Sequence, residues 1–257
     1  SFRILGRRQD GFHEIETLMA PISLHDVLTI EPSESIEFTC DDPSLPSDDD
    51  NLVVKAARLF GRGAQIHLEK RIPHGAGLGG GSSDAASVLL GLNEIYKTNY
   101  PREALAKTAE QIGSDVPFFI FQSAARCGGR GELVVPTCLT NSLRVLLLKP
   151  AFGVPTPWAY SRWSRSRELP GINYAPQQFA GLEFVNDLER PVFEKHVFLA
   201  HAKMWLLAQP EVGAALMSGS GSTVLAALRD GADADSLAAR AKTELDQELW
   251  TCACETI

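Results

Sequence analysis

The chain has 257 residues, 44% hydrophobic and 22% charged, the composition of a globular protein with one large domain or two average ones. Its 24 basic and 32 acidic residues give a net charge of −8, which argues against nucleic acid or an anionic membrane as main partner. Five scattered cysteines, Cys40, Cys127, Cys138, Cys252 and Cys254, suit reduced thiols in a cytoplasmic protein. The Cys252-x-Cys254 pair has no histidine or second cysteine pair near it in sequence to complete a metal site. No apolar run reaches the ~18 residues a membrane span needs, and no signal peptide is visible. Ser1 stands where a methionine is expected, so residues preceding it are anticipated.

In chain order, apolar residues predict strands over 26–31 and 35–40, paired with each other through a turn at Pro32-Ser33-Glu34. Residues 41–50 hold five aspartates, two prolines and two serines, the makeup of a solvated loop. Residues 51–60 read as a helix with Leu52, Ala56 and Leu59 on one face, and 65–69 as a strand. A glycine-rich loop follows, then a helix over 85–96. A further helix over 102–112 has Pro101 at its start and Gly113 after its end. Residues 116–121 and 132–135 read as strands around Gly128-Gly129-Arg130-Gly131. Rising polarity at 138–142 marks a boundary near 140/141. Beyond it come a strand over 144–149, a Pro/Gly/Trp/Tyr-rich loop over 150–175, a helix over 191–208, a strand over 223–228 and a last helix over 234–249. Strands and helices mixed without strict βαβ repetition indicate α+β.

The most informative segment is Pro73-His74-Gly75-Ala76-Gly77-Leu78-Gly79-Gly80-Gly81-Ser82-Ser83-Asp84, where five of the seven residues from Gly75 to Gly81 are glycine. Glycine takes φ > 0 freely and lets backbone approach a ligand. The helix start behind it offers unpaired N–H groups and partial positive charge. Together they make a cradle for an anion, of which a polyphosphate is the commonest biological example. Gly75, Gly77 and Gly80 match the dinucleotide pattern G-x-G-x-x-G, but the nearest acid of suitable spacing, Glu94, falls inside a helix. The Gly-Lys-Ser/Thr of a P-loop is missing, as are the His-Arg-Asp and Asp-Phe-Gly of protein kinases.

The segment closely resembles the phosphate-binding motif of the GHMP small-molecule kinases, Pro-x-Gly-x-Gly-Leu-Gly-Ser/Gly-Ser-Ser. Met217-Ser218-Gly219-Ser220-Gly221-Ser222-Thr223 is similar to a second motif of that family, a glycine turn that packs beside the phosphate loop on the substrate side. Gly6-Arg7-Arg8-Gln9-Asp10-Gly11-Phe12-His13-Glu14, Gly113-Ser114-Asp115-Val116-Pro117-Phe118-Phe119, and Pro155-Thr156-Pro157 with Tyr160 resemble one branch, whose acceptor alcohol is carried on cytidine diphosphate. Asn186-Asp187 also matches, with no role apparent from the sequence. The matches run in order from Gly6 to Val224.

The resemblance implies a two-lobed α+β fold, with residues 1–140 like domain 2 of ribosomal protein S5, residues 141–257 ferredoxin-like, and the active site between them. It implies ATP as phosphoryl donor, Mg²⁺ with it, and a cytidine diphosphate-linked polyol as acceptor, in a monomer or weak homodimer of the bacterial cytoplasm, with the plastid stroma as the alternative. Backbone groups from Gly75 to Ser83 would hold the phosphates, with Pro73 and His74 as flanking loop residues. Ser82 or Ser83 would help coordinate the metal. Asn51 would line the adenine pocket. Asp115 falls where the family has its catalytic base, before an apolar run whose burial can raise a carboxyl pKa toward neutrality. The family's partner lysine lies in a segment expected before Ser1.

A cytosine ring is suited to aromatic stacking plus a polar reader of its edge. Phe12 and Tyr160 are the expected faces, with Trp158 and Trp163 as substitutes for Tyr160, and His13 the expected reader. Thr156 would contact the pyrophosphate or ribose, and Gly219 and Gly221 would support the acceptor. Kinases of homoserine, mevalonate or a sugar, and a non-catalytic nucleotide-binding module, are the competing readings.

Overall fold

A computed structural model of the protein describes all 257 residues. The elements are β1 (Phe2–Arg7), β2 (His13–Met19), β3 (Val27–Pro32), β4 (Ile36–Cys40), α1 (Leu52–Phe60), β5 (Ala64–Glu69), α2 (Gly80–Ile95), α3 (Arg102–Ala109), α4 (Val116–Phe121), β6 (Ala125–Gly128) and β7 (Leu133–Pro136). They continue with β8 (Arg144–Lys149), α5 (Thr156–Arg162), a 3₁₀ turn (Trp163–Arg165), β9 (Gln177–Phe179), β10 (Leu182–Phe184), α6 (Glu189–Lys195), α7 (Val197–Leu207), β11 (Val212–Met217), β12 (Val224–Leu228), α8 (Ala234–Glu244) and β13 (Trp250–Glu255). No helix is long and apolar enough to cross a membrane. All five cysteines are free thiols.

The chain forms two compact units. One comprises Ser1–Leu18, Gly75–Leu78 and Leu139–Ile257; the other Met19–His74 and Gly79–Cys138. The last changeover between the units falls at Cys138/Leu139, where the sequence reading places its boundary at 140/141. The first eighteen residues nevertheless belong with the C-terminal half, because main-chain bonds hold them there. Phe2 N donates to Val185 O at 2.8 Å, and Asp187 N donates to Phe2 O at 3.0 Å. Ile4 of β1 and Ile15 of β2 are buried in that unit's core.

In the unit of Met19–His74 and Gly79–Cys138, β5 lies between β3 and β4, antiparallel to the first and parallel to the second. The expected direct pairing of 26–31 with 35–40 is therefore corrected. The reason is the alternation of β5, which buries Ala64, Ile66 and Leu68 and turns Gln65, His67 and Glu69 outward, a pattern that suits a central strand with one covered face. Helices α1 and α2 supply Val53, Ala56, Ala57, Ala85, Leu89 and Leu92 to the same core. The buried face of α1 is Val53, Val54, Ala56 and Ala57; Leu59, expected inside, is 41% exposed. Residues 116–121, expected as a strand, are helix α4. Pro117 in its first turn suits a helix start.

The other unit is built on an antiparallel sheet of order β11-β12-β8-β13. Leu146 and Leu148 of β8 pack with Val192, Phe193, Leu199, Leu206 and Leu237 from α6, α7 and α8. The helix expected over 191–208 is two helices, broken at His196 (φ −114°, ψ 70°). The last helix ends at Glu244, and the chain closes the sheet edge with β13.

Candidate active site

The glycine loop joins β5 to α2. Gly75, Gly77 and Gly79 have φ of +66°, +72° and +71°, a conformation that disfavours other residues. Gly79 is the N-cap of α2, and the first helical bond runs from Ser83 N to Gly79 O at 2.8 Å. The N–H groups of Gly80, Gly81 and Ser82 thus have no intrahelical acceptor. No acidic side chain occupies the first turn to satisfy them. A Cβ at Gly79 would lie 2.8 Å from Cζ of Phe119, so α4 abuts the loop at its last glycine. His74 is exposed and Pro73 half-buried.

Asp115 is the residue before α4, one turn ahead of Phe119, and caps nothing with its side chain. The turn between β6 and β7 closes over it: a Cβ at Gly131 would sit 3.2 Å from Asp115 Oδ1. Crowding by protein strips water from this carboxyl and raises its pKa above the usual carboxylate range. Its surface remains open to solvent, which limits the shift but leaves the group reachable. Asn51 caps α1: its Oδ1 accepts from Val53 N at 2.9 Å and its Nδ2 donates to Pro46 O at 2.8 Å. Both ends of its amide therefore anchor the acidic loop to the helix.

In the other unit, the remainder of the loop lies on the second glycine turn. Ser218 Oγ donates to Gly77 O at 2.9 Å, and Thr223 N donates to Ala76 O at 3.1 Å. A Cβ at Gly77 would meet Ser218 O at 2.5 Å and Gly221 O at 2.6 Å. Gly219 and Gly221 have φ of +52° and +89°. Thr156 and Ser220 share a hydroxyl hydrogen bond of 2.7 Å, which ties the start of α5 to the same turn.

The aromatic group also assembles, with one change. The ring lying on Tyr160 is His13, at 5.2 Å between centroids and 30° between planes, and Trp163 meets His13 edge-on at 5.8 Å. Phe12 is 49% exposed. Burial, helped by the charge of Arg7, lowers the His13 pKa, so its imidazole is neutral near pH 7 and has one donor and one acceptor nitrogen.

Three groups take roles that sequence reasoning did not assign. Asn186 is the brace of the second turn: its Nδ2 donates to Met217 O at 2.6 Å and to Gly219 O at 2.7 Å. Asp187 Oδ2 accepts from Ile4 N at 2.7 Å. Glu189 Oε1 accepts from Met217 N at 2.8 Å, and its Oε2 pairs with the buried Lys203 Nζ at 2.6 Å. Lys70, Asp26 and Asp84 form a buried ionic cluster at the base of the glycine loop. The Asn-Asp pair was visible as a motif; the others join residues too distant in sequence to reveal the contact.

No group of three or more His, Cys, Asp or Glu side chains is arranged to hold a metal ion.

Residues 51–123 match the family model described as the GHMP kinases N terminal domain. The 4-diphosphocytidyl-2-C-methyl-D-erythritol kinase of Methylacidiphilum infernorum is 45% identical over 233 residues, 87% of this chain and 81% of that protein. The enzyme of the same name from Protochlamydia amoebophila is 40% identical over 228 residues, 86% of this chain and 78% of that one. Among solved structures, a 4-(cytidine 5'-diphospho)-2C-methyl-D-erythritol kinase superposes with a TM-score of 0.77 at 34% identity, covering 99% of this chain and 94% of its own.

Proposed function

This chain belongs to the 4-diphosphocytidyl-2-C-methyl-D-erythritol kinases, and we infer from that membership that it transfers the γ-phosphoryl group of ATP to the 2-hydroxyl of 4-diphosphocytidyl-2-C-methyl-D-erythritol. It is a phosphotransferase with an alcohol acceptor, it has the GHMP kinase fold, and its place is in isoprenoid precursor synthesis by the non-mevalonate route. Kinases of this family use ATP, typically with a divalent metal. Here the metal is Mg²⁺, the compartment is the bacterial cytoplasm, and the working form is a monomer or weak homodimer.

The roles follow from the chemistry. The main chain from Gly75 to Ser83 holds the phosphates, with the free amides at the start of α2 facing their charge. Asn51 shapes the adenine side through the loop that it anchors. The hydroxyl of Ser82 or Ser83 would help hold Mg²⁺, which would supply neutralisation of phosphate charge. Asp115 takes the proton of the acceptor hydroxyl as that oxygen bonds to the γ-phosphorus and the bond to the β-phosphate oxygen breaks, releasing ADP. The Asp115 environment favours this role, since a carboxylate with a raised pKa is a stronger base. His13 and Tyr160, with Phe12 beside them in sequence, read the cytosine. Thr156, Gly219 and Gly221 place the diphosphate and the polyol.

One observation supports the reading most strongly: the phosphate loop rests on a second glycine turn through Gly77, leaving no room for a side chain. The test is ADP release with the cytidylyl alcohol, homoserine, mevalonate and galactose offered in turn. Turnover of the first alone is the expected result, and turnover of any other in its place would overturn the assignment.

A further inference from the structure

The buried cluster beneath the glycine loop has no part in the chemistry above. Lys70 follows β5; its Nζ lies 2.5 Å from Asp26 Oδ2 and 3.0 Å from Asp84 Oδ2. All three side chains are almost fully enclosed, at 9%, 1% and 5% exposure. Asp26 Oδ1 also accepts from Arg71 N at 2.6 Å and Ile72 N at 2.8 Å, the two residues that lead into Pro73. A Cβ at Gly80 would lie 3.4 Å from Asp26 Oδ2, so the first residue of α2 sits directly over the same carboxylate. Asp84 belongs to the second turn of α2.

The cluster thus grips both ends of the loop: Asp26 holds the strand side, Asp84 the helix side, and Lys70 joins them. Fully ionised, the three groups carry one net negative charge. That is an unfavourable choice beside a polyphosphate unless the arrangement is kept for geometry. Apolar residues of similar size would hold a core at least as well, since a buried ion pair contributes little to net stability. A charge-assisted network instead fixes direction and spacing.

Resting on the assignment of residues 73–83 as the nucleotide phosphate loop, we propose that Lys70, Asp26 and Asp84 are positioning residues that set the separation of the two loop ends, so that nucleotide affinity depends on side chains that do not touch the nucleotide. Two facts accord with it. Burial pushes the Asp84 pKa up to about 7 against the pull of Lys70, so the carboxyl is held where it is at a cost. Lys70, despite its burial, keeps its proton more firmly than usual because Asp84 and Asp26 face it.

The test measures ATP affinity by calorimetry, and kcat and both KM values, in the full chain. Asp84→Ala releases the helix side and is expected to weaken ATP binding about tenfold or more, with kcat and acceptor KM within about threefold. Asp84→Asn keeps an oxygen for Lys70 and is expected to bind ATP within about threefold of the parent. Unchanged ATP affinity in a folded Asp84→Ala, or equal losses in both variants, would overturn the proposal. Should Asp84→Ala fail to fold, Asp84→Ser, with room for a water at Lys70, is read the same way. Failure of both to fold would assign the cluster to stability alone. Gly79→Val separates this from the loop assignment. If it retains full ATP affinity, the loop is misassigned; if it loses ATP while Asp84→Ala does not, only the positioning role falls.

Discussion

Gly77→Ala is the sharpest perturbation of the glycine loop proposed to hold the phosphates. The new Cβ would fall 2.5 Å and 2.6 Å from two backbone oxygens, of Ser218 and Gly221, neither of which can rotate aside. The left-handed conformation at φ +72° adds about 1–2 kcal/mol for an L-residue. Relief requires lifting the loop off the turn, with loss of the Ser218–Gly77 and Thr223–Ala76 hydrogen bonds, about 1 kcal/mol each. The loop lifts only because the clash and strain exceed those two bonds, and nucleotide must restore the clash to bind, so ATP affinity should fall about tenfold or more, the equivalent of about 1.4 kcal/mol. Gly61→Ala is the control: it has φ +77° but nothing within 4 Å of the new carbon. It should lower stability by about 1 kcal/mol and leave ATP binding alone. Calorimetric titration with ATP and thermal unfolding give both readings. A folded Gly77→Ala that binds ATP within about threefold of the parent would refute the argument.

Other outcomes follow from the same geometry. Asp115→Asn should retain ATP binding and lose about 10²–10⁴ in kcat; the acid limb of the parent's pH–rate profile, set by a carboxyl with a raised pKa, should vanish with it. His13→Ala and Tyr160→Ala should each raise acceptor KM about 10- to 100-fold through lost stacking, with KM for ATP unmoved, as read by steady-state kinetics. Burial raises the folded pKa of Asp84 to about 7 from the ordinary 3.8, so the native state binds the extra proton between those values. Its contribution to stability is full below pH 4 and disappears as pH rises through 7. Asp84→Asn should therefore lose less melting temperature than the parent between pH 5 and 8, measured by calorimetric scans at stepped pH.

The loop and the second glycine turn were legible because glycine density is a local signal with a local cause. The helix of residues 116–121 was not: Val116, Phe118 and Ile120 are buried, and a short run of bulky apolar residues has no periodicity to tell strand from helix. Pro117 and Asp115 were the available cues. The central place of β5 was hidden because sequence shows alternation but not which neighbour lies on either side. Asp115 was reached through resemblance, whereas the Gly131 turn that crowds it required coordinates. Lys70 looked unremarkable, since Asp26 is 44 positions away and only folding brings them together. The sequence offered Phe12 and Tyr160 as stacking faces; in the structure the imidazole of His13 lies against Tyr160 instead.

The bond from Ile4 N to Asp187 spans 183 positions. Synthesis proceeds from the amino end at about 5–20 residues per second, so β1 has to wait about 10–40 s for its acceptor to leave the ribosome. Throughout that interval the hairpin carrying Phe12 and His13 lacks the core that receives Ile4 and Ile15. The hairpin of Phe12 and His13 is thus among the last parts to mature, and a stalled or prematurely terminated chain would display the apolar side chains of Ile4 and Ile15 to chaperones and proteases.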